Sequence, residues 1–202
     1  MRGIRSHSCA MILAIANQKG GVGKTTTAIN LAAALAMRGK PTLLIDLDPQ
    51  GNASSGVGVD KSKVQKSIYH ALLEGASASE LIVPSCVKNL YVIPSNQDLS
   101  GAEVELVEEL GREGRLRKTL NSLDPSYDIV IIDCPPSFGL LTINALTAAN
   151  SVIIPIQCEY YALEGLSQLV KTINLIKDNL NPSLEIEGIV MTMADYRTKL
   201  TQ

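Results

Sequence analysis

The chain has 202 residues, 46% of them hydrophobic and 19% charged, enough apolar material for one buried core and too much for a disordered chain. Eighteen Lys and Arg against twenty Asp and Glu leave a net charge of −2, which excludes an overall positive field drawing the monomer to nucleic acid or anionic lipid. Cys9, Cys86, Cys134 and Cys158 form no CxxC pair and stand far in sequence from His7 and His70, so the pattern argues against zinc and disulfide frameworks.

Residues 1–10, MRGIRSHSCA, contain no apolar run of signal-peptide length and read as a flexible extension before Met11, where the first strand-like run begins. No stretch approaches a membrane span, which predicts a cytoplasmic protein with no membrane contact. MILAIAN (11–17) reads as the first strand. TTTAINLAAALAMRG follows as a helix with Ile29, Ala32, Ala33 and Ala36 on one face and Gly39 placed to end it. PTLLIDL (41–47) is a second strand, KVQKSIYHALLEG (63–75) a helix and NLYVIPS (89–95) a third strand. Residues 103–123 have helical period weakened by two glycines. YDIVIIDCPP (127–136) is apolar on both faces and therefore central. LLTINALTAA (140–149) is helical, SVIIPIQ (151–157) a strand, 163–180 a helix and EIEGIVMTM (185–193) a last strand. Six strands joined by helical crossovers predict a doubly wound α/β domain over 11–202, with a mostly parallel sheet and helices on both faces.

Between the first strand and the first helix lies KGGVGKTT. Backbone N–H groups at a helix N-terminus are unpaired and the helix dipole favours an anion there. Glycines let the backbone wrap a phosphate without Cβ interference. Lys24 can then reach outer phosphates while the Thr25 hydroxyl coordinates Mg²⁺, the division of labour in a Walker A loop. The spacing departs from the ordinary motif, because its first glycine would fall at position 18, which is Gln18. Lys19 precedes the glycines instead, so Lys19, Gly20, Gly21, Val22, Gly23, Lys24, Thr25 and Thr26 form the expected nucleotide-binding stretch.

Carboxylates at the carboxyl ends of neighbouring strands can hold the metal and place an attacking water. LIDLDPQGN puts Asp46 and Asp48 after the second strand, followed by a Pro49-Gln50-Gly turn able to move. IVIIDCPPS puts Asp133 at the end of the most buried strand, as a Walker B acid requires.

With its leading lysine, the loop resembles the deviant Walker A of the MinD/ParA ATPases. DLDPQGNASSG, IIDCPPSFGLLTINAL and PIQCEYYALEGL are similar to the ParA/Soj branch, which partitions chromosomes and plasmids. The resemblance covers residues 11–202 and implies a P-loop ATPase that binds ATP and Mg²⁺. It implies an ATP-dependent homodimer closing face to face over two nucleotides, with Lys19 crossing to the partner's nucleotide and Gly20 at the close approach. It also implies that Lys19, Lys24 and Asp48 are catalytic, Asp48 orienting the attacking water, and that Thr25, Asp46 and Asp133 serve the metal, both aspartates through water. Asp48, Pro49 and Gln50 would form one switch, and Asp133, Pro135, Pro136 and Ser137 another that senses the γ-phosphate.

By the same resemblance the dimer binds double-stranded DNA without sequence preference, in association with the nucleoid. A ParB-type centromere-binding protein then stimulates slow hydrolysis and releases it. Arg197 in DYRTKL matches a basic residue of the family's DNA face, with Lys199 nearby. Family members continue beyond TMADYRTKLTQ with a further strand and helix, so the domain is expected to lack its C-terminal elements. A MinD-like division-site ATPase and a non-hydrolysing DNA-bound regulator or inactive fragment remain as alternatives. A nitrogenase-reductase-like carrier is disfavoured because Cys134 is tied to the strand carrying Asp133. GREGRLRKTL gathers four basic residues, but Glu108 and Glu113 four residues before Arg112 and Arg117 predict a solvated, ion-paired helix face. Tyr160 and Tyr161 read as packing residues, and Cys134 as a small buried side chain.

Overall fold

The computed structural model describes residues 10–158 and 162–194. In chain order the elements are β1 (Met11–Ile15), α1 (Lys24–Met37), β2 (Thr42–Asp46), α2 (Asn52–Gly56), α3 (Ile68–Leu73), α4 (Ala78–Leu81), β3 (Val83–Pro84) and β4 (Leu90–Ile93). There follow α5 (Leu99–Glu105), α6 (Arg115–Leu120), β5 (Ile129–Asp133), α7 (Leu140–Ala148), β6 (Ser151–Gln157), α8 (Ala162–Asn179) and β7 (Glu185–Thr192), with short 3-10 turns at Lys61–Lys63, Leu106–Glu108 and Arg112–Gly114.

The strands form one sheet in the order β3-β4-β2-β5-β1-β6-β7, parallel except for β3 against β4. The apolar runs alternate between two cores. Ala14, Leu43, Ile45, Val130 and Ile132 face a cluster completed by α3, α5, α6, α7 and α8. Ile15, Leu44, Val92 and Ile131 face the other, covered by Ala28, Ala32 and Ala36 of α1. Those alanines recur every four residues, one stripe of a helix, and their small side chains let α1 lie close against the sheet. β5 sits at the centre of the sheet, where its unbroken apolar run requires it to be.

The sheet has seven strands rather than six, because the two-residue β3 adds an antiparallel edge too short to show a period. The helix expected over 103–123 is two helices. α5 ends at Glu105, Glu109 is extended, and Gly111, at φ 65, turns the chain left-handed into the turn that precedes α6. The buried Asn144 of α7 fixes the break: its Oδ1 accepts from the Leu116 N–H (3.0 Å), and its Nδ2 donates to the carbonyls of Arg112 (2.7 Å) and Leu140 (2.9 Å). With no continuous helix, the ion pairs expected at four-residue spacing do not form. Arg112 pairs with Glu113 and Arg115 with Glu109, while Arg117 donates to the Leu180 carbonyl at 3.2 Å. Among the described residues no helix is long and apolar enough to cross a membrane.

Candidate functional site

A parallel sheet sends all its strand ends the same way, so β1, β2 and β5 deliver their following loops to one edge. Register then sets the neighbours: Ile15 of β1 and Asp46 of β2 both lie opposite Asp133 of β5. The two buried aspartates are therefore side by side at the mouth of the loop that leaves β1.

That loop turns through Gly21 (φ 74) and Gly23 (φ 85), both left-handed and costly for any residue with a Cβ. Asn17 braces its start, accepting from the Lys19 N–H through Oδ1 (3.0 Å) and donating through Nδ2 to the Pro155 carbonyl on β6 (2.6 Å). Gly23 caps α1, its carbonyl accepting from the N–H (2.9 Å) and hydroxyl (2.8 Å) of Thr27. Gly20 is exposed, and a Cβ there would meet only Pro136, at 3.9 Å. Val22 is buried in the wall, Thr25 is half-buried in the first turn of α1, and Thr26 is exposed beside it. Lys24 is 6% exposed, folded back so that Nζ donates to the Lys19 carbonyl at 2.9 Å. Burial lowers its pKa, against which Asp133, Cys134 and Asp48 pull upward.

The acids differ sharply in their surroundings. Asp46 is fully buried, and its carboxylate accepts from the Asp48 N–H (3.1 Å) and from the N–H and hydroxyl of Ser54 (2.7 Å each). Burial raises its pKa in spite of those bonds. Both oxygens are thus engaged in shaping the segment 46–54. Asp48 is half-buried in the tight turn that follows; its Oδ1 accepts from the Gln50 N–H (2.9 Å) and its carbonyl from the Gly51 N–H (2.8 Å). Pro49 and Gln50 complete that turn, and the Gln50 carbonyl accepts from Lys61 Nζ at 2.7 Å. Asp133 is fully buried with neither carboxylate oxygen hydrogen-bonded. Burial, then repulsion from Asp46 and Asp48, lifts it to about 7; the nearby Thr25 hydroxyl, outside hydrogen-bonding geometry, and Lys24 pull the other way.

Beyond Asp133, Cys134 and Pro135 are buried and Pro136 is exposed. The Ser137 carbonyl accepts from the Thr142 hydroxyl at 2.6 Å, pinning the segment to α7. Burial raises the Cys134 thiol so far that it stays protonated, as a core side chain should.

Gly20, Gly21, Gly23, Lys24, Thr25 and Asp48 line one cleft of about 280 Å³, together with Asn52, Pro136 and Met193. Periodicity gave no reason to pick out Asn52, Asn17, Thr192 or Met193. The one local signal is conformational: Met193 has φ 51, rare for a side chain of that size, and it turns the chain into the cleft after β7. Arg197, Lys199, Tyr160 and Tyr161 lie outside the described residues, as does the segment 1–9.

A glycine loop on a helix N-terminus, a buried lysine and an unpaired buried carboxylate suit a polyphosphate with a divalent cation. Among the described residues no three His, Cys, Asp or Glu side chains converge to hold a metal unaided. That fits Mg²⁺, which is commonly held by one or two carboxylates and the phosphates of its nucleotide. The orphaned Asp133 carboxylate and the Thr25 hydroxyl are groups that could hold such an ion.

A family model described as an AAA domain matches residues 10–186. The chain is 57% identical over 189 residues to the sporulation initiation inhibitor protein Soj of Bacillus subtilis, covering 94% of this chain and 75% of that one. It is 59% identical to the chromosome partitioning protein ParA of Myxococcus xanthus, covering 94% and 67%. Among solved structures, a cobyrinic acid a,c-diamide synthase from Mycobacterium smegmatis with bound ATP analogue and magnesium superposes with TM-score 0.90 at 44% identity, covering 95% of this chain and 78% of that one. A putative plasmid partition protein from Borrelia burgdorferi bound to AMPPNP gives 0.80 at 31%, covering 95% and 77%.

Proposed function

The chain belongs to the ParA/Soj family of partitioning ATPases, and from that premise we propose that it is a nucleotide-gated switch that partitions DNA. ATP binding closes two subunits into a dimer that holds double-stranded DNA without sequence preference. Hydrolysis, slow alone and stimulated by DNA and a ParB-type partner, releases it. The observation that carries the reading is the buried Asp133 carboxylate, with no hydrogen-bond partner, beside Lys24 at the mouth of the glycine loop.

In this reading the N–H groups of the loop and of the first turn of α1 bind the phosphate oxygens. Lys24 exchanges the Lys19 carbonyl for an outer phosphate oxygen. Asp48 accepts a hydrogen bond from the attacking water and lines it up on the γ-phosphorus; the water oxygen bonds to that phosphorus as its bond to the β–γ bridging oxygen breaks, giving ADP and inorganic phosphate, and the water's proton is released to solvent. Thr25 would hold Mg²⁺, with Asp133 and Asp46 acting on it through water; when bound, the ion would neutralise charge on the nucleotide's phosphates. Lys19, from the partner, places a second cation against the phosphates. The turn 48–50 and the segment 133–137 carry the state of the nucleotide to the dimer face. Arg197 contributes to the DNA face, and the protein works in the cytoplasm on the nucleoid.

The name of the Mycobacterium smegmatis structure points instead to ATP-driven amide formation. The higher identity to proteins named for chromosome partitioning, 59% and 53% against 44%, favours the switch. The deciding experiment is light scattering coupled to size exclusion on Asp48→Ala, with and without ATP and Mg²⁺. A dimer only with ATP, then retained on random-sequence DNA, is expected. A chain that stays monomeric while binding ATP would remove the sandwich switch.

A further inference from the structure

Thr192 closes β7 and is separated by 170 positions from the loop it touches. Its hydroxyl stands 2.8 Å from the Val22 carbonyl and 3.2 Å from the Ile156 carbonyl, at the junction of loop, β6 and β7. Its Cγ2 lies 3.5 Å from where a Cβ on Gly23 would be. One residue further on, Met193 turns left-handed into the nucleotide cleft. None of the motifs in the phosphate loop or the acidic turns accounts for this contact.

We infer that Thr192 is a positioning residue of the nucleotide site, which orients the peptide between Val22 and Gly23 and so aims the Gly23 N–H; this rests on the reading of the loop as a phosphate site. The peptide unit is planar and trans, so its carbonyl and its N–H point in opposite directions. A hydroxyl that holds the Val22 oxygen toward β7 therefore turns the Gly23 N–H away from β7. Gly23 needs such a hold more than another residue would, because glycine meets little steric resistance as this plane rocks. Val22 is 1% exposed, so water does not readily replace the lost donor. The methyl of Thr192 lies beside Gly23. The strand end thus does for the loop backbone what neither Lys24 nor the helix N-terminus does: it fixes the direction of an anion-binding N–H before the nucleotide arrives.

Calorimetric titration of ADP and ATP into Thr192→Val, Thr192→Ser and Lys24→Ala tests this. Valine keeps the methyl and deletes the hydroxyl; serine does the reverse. Thr192→Val is expected to raise Kd for both nucleotides about 3- to 10-fold, with turnover at saturating ATP within about twofold of wild type. Thr192→Ser should stay within about twofold in Kd, a rescue that loss of packing alone would not give. Wild-type affinity in Thr192→Val while Lys24→Ala loses binding overturns the inference and leaves the nucleotide site standing. Wild-type affinity in Lys24→Ala as well overturns the phosphate-loop reading, and this inference with it. Should Thr192→Val not fold, Thr192→Ala against Thr192→Ser gives the same contrast: affinity restored by serine supports the hydroxyl, and equal affinities overturn it.

Discussion

Asp133 carries an unresolved electrostatic cost, a carboxyl raised from the usual 3.8 to about 7 chiefly by burial. Below about pH 4 both folded and unfolded chains hold the proton and the group contributes its full stability. Between about 4 and 7 the unfolded chain releases the proton while the folded chain keeps it, so stability falls as pH rises, by at most about 1.4 kcal/mol per pH unit. Asp133→Asn should therefore melt higher than wild type at pH 7.5 without ligand, and the gap should close toward pH 4. A scan of melting temperature against pH checks this; a gap that stays constant would mean the carboxylate is not desolvated. The same variant should lose the stabilisation that Mg²⁺ and ATP give wild type. The roles proposed for Lys24 and Asp48 separate binding from chemistry. Lys24→Ala should weaken ATP binding by about 100-fold or more, since a buried charge-assisted contact is lost. Asp48→Ala should bind ATP within about threefold of wild type and turn it over about 10²- to 10⁴-fold more slowly. Wild-type turnover in Asp48→Ala would assign the water to another residue.

At the scale of elements, the site depends on loops fixed by neighbours distant in sequence. Asn17 ties the phosphate loop to β6, Ser54 ties the acidic turn to Asp46, and Thr142 ties the segment after Asp133 to α7. Asn144 does the same for the helical layer, joining α6 and the preceding turn to α7 with two bonds, to Leu116 and Arg112. Replacing it by the similarly sized leucine leaves the Leu116 N–H and the Arg112 carbonyl without their partner. Asn144→Leu should cost about 2–4 kcal/mol in urea unfolding while ATP affinity stays within about twofold. A loss of affinity parallel to the loss of stability would show that α6 and the site unfold as one unit. Periodicity could not show this junction, because a helical pattern says which face is apolar and nothing of a side chain reaching in from another helix.

At the scale of the whole molecule, a net charge of −2 means that the proposed DNA affinity would have to come from a local patch and from pairing two copies of it. Raising salt from about 50 to about 200 mM should weaken DNA binding by tenfold or more, as counterion release demands. A flat salt response would point away from phosphate contacts. The trans role proposed for Lys19 has its own signature. Lys19→Ala and Asp48→Ala should each be slow alone, yet mixing them should restore turnover. In the mixed dimer, the nucleotide on the Lys19→Ala subunit receives the partner's lysine and keeps its own Asp48. Failure of mixing to restore activity would place Lys19 on its own nucleotide. β7 leaves Ile189 and Met191 50% and 65% exposed. Nucleotide-independent association through that strand is therefore the background against which an ATP-dependent dimer has to be measured.

The sequence by itself determined the parallel α/β plan, the central place of β5, and the loop with its lysines and glycines. These follow from local facts: apolar runs too short for helices, a glycine cluster between strand and helix, acids directly after buried strands. The family was legible for the same reason, since its motifs are contiguous. Only the tertiary structure decided that Asp46 and Asp133 lie opposite each other, because register is a relation between strands that no single segment carries. It also decided that 103–123 breaks between Glu105 and Arg115, that Asp133 alone of the three acids lacks a hydrogen bond, and that Thr192 reaches Val22 across the chain. Each depends on burial and on partners supplied from elsewhere, and a carboxylate or hydroxyl acquires its energetic meaning only when those partners are in place.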